Sequence, residues 1–98
     1  MTDISLIIEK VKKIIQKEVD CDYRLFLFGS RAKDFFHEKS DIDIGILSDG
    51  PLDAIQMFSI KDKIAEIPTL LKIDFVDFSV VSDDFRTVAL KQTKEIVR

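Results

Sequence analysis

Between Gly29 and Ile46 the chain reads GSRAKDFFHEKSDIDIGI, and the two ends of that stretch follow different backbone logic. At the far end, Asp41-Ile42-Asp43-Ile44 alternates acid with aliphatic. A period of two sets both acids on one face of an extended strand and both isoleucines on the other, so Asp41 to Leu47 reads as a strand. At the near end Gly29-Ser30 interrupts an apolar run. Ser30 stands where a helix N-cap stands, ahead of a short helical segment from Arg31 to Phe36. Just upstream, Tyr23 to Phe28 (YRLFLF) is apolar on both faces, the pattern of a central strand.

The flanking sequence continues this alternation of element types. From Asp3 to about Val19, Ile4, Ile7, Ile8, Val11, Ile14 and Ile15 recur at helical spacing with Lys and Glu between them. Asp20-Cys21-Asp22 breaks that pattern as a turn. Ser48-Asp49-Gly50-Pro51 turns into a second helix marked by Ile55, Met57, Phe58, Ile60, Ile64 and Ile67, which Pro68 stops. Lys72 to Phe78 is a third strand. Ser82 caps a last helix with Asp83 and Asp84 in its first turn and Phe85, Val88 and Ala89 as its apolar stripe. The tail Glu95 to Arg98 fits a helical extension or a short edge strand equally well. Helix, strand, short helix, strand, helix, strand, helix predicts an α/β (α+β) layered domain, a small sheet flanked by helices.

Composition narrows the function classes. Ninety-eight residues suit one domain over 1–98, with 46% apolar and 34% charged residues, the balance of a soluble globular protein. Eight Phe and no Trp make it phenylalanine-heavy. No apolar run approaches the ~20 residues of a membrane span, and the N-terminus lacks a basic signal-peptide start. Lone Cys21 and lone His37 build neither a disulfide nor a zinc site. A cytoplasmic protein without a membrane is the expectation. The formal charge of -3 argues against a general nucleic-acid-coating surface. Phosphate chemistry on such a chain needs a cation or a few local positive groups.

The chemistry-bearing residues gather around the strand ends. Asp41 and Asp43 lie about 6.6 Å apart along one strand face and can converge on a cation with oxygen ligands at roughly 2.0–2.1 Å, as Mg²⁺ prefers. Asp74 on the third strand supplies a third carboxylate, one that can join a metal or orient an attacking hydroxyl. Asp77, on the opposite face and nearer the strand end, is expected to meet solvent. Gly29 lets backbone approach a phosphate, Ser30 adds a hydroxyl and free N–H groups follow. Arg31 and Lys33 bring positive charge to the same place.

The segment from Gly29 to Ile46 resembles the signature of the minimal nucleotidyltransferases of the DNA polymerase β-like superfamily: a Gly-Ser pair, a short helix, then Asp-x-Asp on a strand. The likeness extends over nearly the whole chain. It implies the nucleotidyltransferase fold, Gly29 and Ser30 as nucleotide-binding residues, which the charge of Arg31 joins as a third, and Asp41, Asp43 and Asp74 as catalytic and metal-ligating. It further implies two Mg²⁺ ions, ATP as substrate, and AMP transfer to a hydroxyl, tyrosine foremost, of a partner HEPN-domain toxin, the chain acting as antitoxin. Asp34 departs from the Gly usual there, which bears on the substrate loop more than on the metal site.

Two other readings compete. A catalytically weak binding module would neutralise a HEPN partner by occlusion, and a nucleic-acid-extending enzyme would need a template-binding domain that this acidic chain lacks. A homo-oligomer is left open. Asp20-x-Asp22 has the same spacing as Asp41-x-Asp43 but no phosphate loop ahead of it, and is read as turn chemistry.

Overall fold

The structure, a computed structural model, describes residues 4–32 and 40–97. Helix α1 spans Ile4–Glu18, strand β1 Tyr23–Phe28, a short 3-10 helix Gly29–Ala32, β2 Ile42–Ser48 and α2 Ala54–Ala65. Strand β3 (Ile73–Asp77), helix α3 (Asp83–Ala89) and strand β4 (Lys94–Val97) complete the order. The expected extension of the short helix to Phe36 lies outside the described residues, as do Lys33, Asp34, His37 and the side chain of Ser30.

The four strands form one mixed sheet in the order β3-β2-β1-β4. β1 pairs antiparallel with β2 and β4, while β2 and β3 are parallel and joined through α2. The tail is therefore an edge strand, with Leu27 opposite Lys94 and an ion pair between Arg24 and Glu95.

Alternation along the strands splits the core in two. Leu25, Leu27, Ile42, Ile44, Ile46 and Phe75 face α1 and α2 and pack on Ile7, Val11, Ile15, Ile60 and Ile64. Full burial of each such side chain contributes about 1.5–3 kcal/mol. On the other face Phe26, Phe28 and Phe78 form a smaller cluster with Val76, Ala89 and Leu90. The Phe78 ring meets Phe26 and Phe28 edge-on, each at 5.0 Å between centroids. Gly45 lies beneath them, where a Cβ would come within 2.6 Å of both the Phe26 and Phe78 rings.

Two expectations about helix faces change. Ile55 and Phe58 are 81% and 74% exposed. The stripe that α2 buries runs instead through Ile60 and Ile64 to Ile67, just past the helix, at spacings of four and three. The helix starts later than the Pro51 turn, at an Asp53 N-cap whose carboxylate accepts from Gln56 N at 2.7 Å, while Gln56 Oε1 accepts from Asp53 N. Gln56 also donates to the Glu18 carbonyl, and Ser59 and Lys63 donate to the Glu18 carboxylate. The Lys63 and Ser59 bonds, Lys63 foremost, hold the Glu18 carboxyl below its usual value, and all three tie α2 to the end of α1. In α3, Ser82 caps as expected, accepting from Phe85 N, but no residue of the helix is fully buried. Phe85 and Val88 stay substantially exposed because α3 covers only a corner of the phenylalanine cluster.

No helix among the described residues is long and apolar enough to cross a membrane.

Candidate active site

Parallel pairing of β2 with β3 sets Asp43 opposite Asp74 in register. Neighbouring strands run ~4.8 Å apart, so two register partners send their side chains off the same face side by side. That face carries the phenylalanine cluster, opposite α1 and α2, and Val76 and Phe78 lie on it beyond Asp74. On the other flank, Phe28 of β1 is the register partner of Asp43. The acids thus sit at the margin of an apolar surface that α3 leaves partly open.

This placement sets the protonation of Asp43. Partial burial raises its pKa most, followed by the charge of Asp74, a hydrogen bond that the two carboxyls are close enough to share, and the charge of Asp41. Lys72 works in the opposite direction. Asp41 stands just before β2, exposed at the mouth of the pair.

Gly29 closes the site from the β1 side. Its φ of +69° is a conformation that L side chains rarely adopt, and a Cβ there would run into Asp43 Oδ2. The backbone that the sequence marks as a phosphate loop therefore passes directly against the Asp43 carboxyl. A hollow of about 580 Å³ opens beside Phe28, Asp43, Asp74, Val76 and Phe85 and continues around the free edge of β3 toward Ile64 and Ile67.

Arg31, expected at the nucleotide, is 6% exposed, and it donates from Nη2 (3.1 Å) and Nε (3.3 Å) to the carbonyl of Ser40. It fastens the 3-10 helix to the residue preceding Asp41. Asp77 departs from its expected place in solvent. It is 5% exposed and accepts from Leu52 N at 3.1 Å, Ser79 N at 3.0 Å and Ser79 Oγ at 2.5 Å. A carboxylate with three donors is satisfied where it stands, and it anchors the loop after β2 on the α1–α2 side.

The sequence reading passed over Lys72. It lies two residues before Asp74 and so shares that residue's face, with Nζ 3.7 Å from Asp74 Oδ1. The same parity that selected Asp74 would have found it.

The donor set suits a hard divalent cation. Asp43 and Asp74 are paired carboxylates whose mutual repulsion a Mg²⁺ ion relieves, with Asp41 in electrostatic range. Among the described residues no three Asp, Glu, His or Cys side chains form a ready-made metal cluster: Asp43 and Asp74 are paired, and Asp41 stands exposed two residues before Asp43.

Comparison with known proteins agrees with this fold. A family model described as "Polymerase beta, Nucleotidyltransferase" matches residues 9–98. The chain is 36% identical over 81 residues to the "Probable protein adenylyltransferase MntA" of Haemophilus influenzae, covering 83% of this chain and 70% of that protein. Among solved structures, a toxin–antitoxin with AMP-PNP superposes with a TM-score of 0.72 at 27% identity, covering 90% of this chain and 70% of the other. A tri-AMPylated Shewanella oneidensis HEPN toxin in complex with MNT antitoxin gives a TM-score of 0.70 at 25% identity, covering 93% and 69%. With its mixed sheet, paired strand acids and glycine-tipped turn, and a match over nearly its full length, this chain belongs to the polymerase β nucleotidyltransferase family.

Proposed function

We propose that this nucleotidyltransferase is a Mg²⁺-dependent protein adenylyltransferase that moves AMP from ATP to a hydroxyl, tyrosine foremost, of a HEPN-type toxin in the cytoplasm, and so serves as that toxin's antitoxin. The observation that carries this reading is the Asp43–Asp74 register pair with the Gly29 backbone pressed against it. The relatives support the direction: one is described as a protein adenylyltransferase, one holds an ATP analogue, and one includes an AMPylated HEPN toxin.

Asp43 and Asp74, joined by Asp41, are the residues that would hold Mg²⁺. When bound, the metal neutralises charge on the triphosphate and supports departure of pyrophosphate. The Gly29-Ser30 turn positions the phosphates through backbone N–H groups. Asp74 faces the open side and accepts the proton of the attacking hydroxyl. A bond forms from that oxygen to the α-phosphorus, the bond to the α–β bridging oxygen breaks, and pyrophosphate leaves in line. Phosphoryl chemistry depends mainly on such positioning and charge neutralisation, which a small acidic chain can supply.

Incubation with α-labelled ATP, Mg²⁺ and a HEPN-type toxin partner is the test. Label on that partner, at a tyrosine by mass spectrometry, is the expected result. A stable complex without label overturns the enzyme reading in favour of neutralisation by occlusion.

A further inference from the structure

Lys72 is a charged group of the acidic face that the proposed chemistry leaves without work. Its side chain is 68% exposed, so its flexible stem is free to swing, yet its ammonium rests 3.7 Å from Asp74 Oδ1. Its charge also reaches Asp43, countering the repulsion from Asp74 and Asp41. We propose that Lys72 is a tethered counter-ion for the Asp43–Asp74 pair, balancing it in the absence of a divalent cation and turning to the phosphates when a metal–nucleotide complex binds. This rests on the reading of those acids as the metal centre.

The consequence follows from charge alone. A divalent ion between the carboxylates and an ammonium ~6 Å away repel each other, and in a water-like dielectric this weakens binding of the free ion about tenfold. A triphosphate reverses the sign, because the metal–nucleotide complex is net negative and attracts the same ammonium. Lys72 thus disfavours the bare metal and favours the metal already carrying nucleotide. A lysine that merely shaped the strand would move both affinities the same way.

Mn²⁺ titrations of the full chain followed by electron paramagnetic resonance, beside calorimetry with Mg²⁺–AMP-PNP, test this. Lys72→Met is expected to bind free Mn²⁺ about tenfold more tightly (~1.4 kcal/mol) without any tightening of Mg²⁺–AMP-PNP. Lys72→Arg, which keeps the charge, is expected to match the wild type in both. Unchanged or weaker Mn²⁺ binding by Lys72→Met, or equal tightening toward ion and nucleotide complex, overturns the counter-ion role alone. Failure of the wild type to bind Mn²⁺ at all overturns the metal centre together with it.

Discussion

Replacing Asp43 with Asn should make the metal-free protein more stable while disabling its proposed chemistry. Asp43 has a raised pKa from partial burial beside Phe28 and from the neighbouring Asp74 carboxylate. A carboxyl whose folded pKa lies above its unfolded value of ~3.9 holds its proton more tightly in the native state. Its favourable contribution is therefore complete at low pH and is lost as pH rises through the raised folded value, leaving a penalty at pH 7. Two unit charges 4 Å apart repel by about 1 kcal/mol in water and about 4 kcal/mol at an effective dielectric of 20. Asp43 is only partly buried and Lys72 offsets some of the repulsion, so the lower figure applies, about 1 kcal/mol. For a domain of this size that is about 4–8 °C in melting temperature. Asn is nearly isosteric and can donate to Asp74, so little packing is lost. Thermal melts by circular dichroism in EDTA at pH 7.5 should show Asp43→Asn melting above the wild type, with the gap closing toward pH 4. A variant that melts lower than the wild type at both pH values refutes the electrostatic reasoning.

Two further substitutions probe the frame around the acids. Gly29→Ala meets both a left-handed backbone and the Asp43 carboxyl, so a stability loss of about 1–3 kcal/mol together with collapse of transfer is expected in melts and labelled-ATP assays. Asp77→Ala strands the Leu52 and Ser79 donors and should cost about 1–3 kcal/mol in a urea titration while leaving transfer per folded molecule intact, because its carboxylate sits on the α1–α2 side of the sheet.

What could be read in the sequence was whatever depends on local periodicity. The Asp41–Ile44 alternation was legible because one face of β2 is fully buried through Ile42, Ile44 and Ile46, which leaves Asp43 no choice of side. The same parity put Asp74 on that face. Its register with Asp43 was not legible, since register belongs to two distant strands and follows only from their parallel pairing. Asp77 shows the limit. Parity gave its face, but its burial depends on the loop at Leu52, 25 residues away. Ile55 and Phe58 misled because an apolar residue near a helical stripe need not lie on it, and the stripe through Ile60, Ile64 and Ile67 excludes them. The tail could not be assigned because four residues carry too little periodicity, and β4 exists only through its pairing with β1. Arg31 was legible as a cation near the phosphate loop, but its bonds to the Ser40 carbonyl arise where the chain returns after nine residues.

Transfer of AMP is expected to depend on the adjacent acids of β2 and β3. Its most direct measurement is the initial rate of label transfer from α-labelled ATP to the partner for wild type, Asp43→Asn, Asp74→Asn and Asp77→Asn at equal folded concentration. Losses of roughly a hundredfold or more are expected for Asp43→Asn and Asp74→Asn, with Asp77→Asn near wild type. Near-normal transfer by a folded Asp43→Asn or Asp74→Asn protein would contradict it.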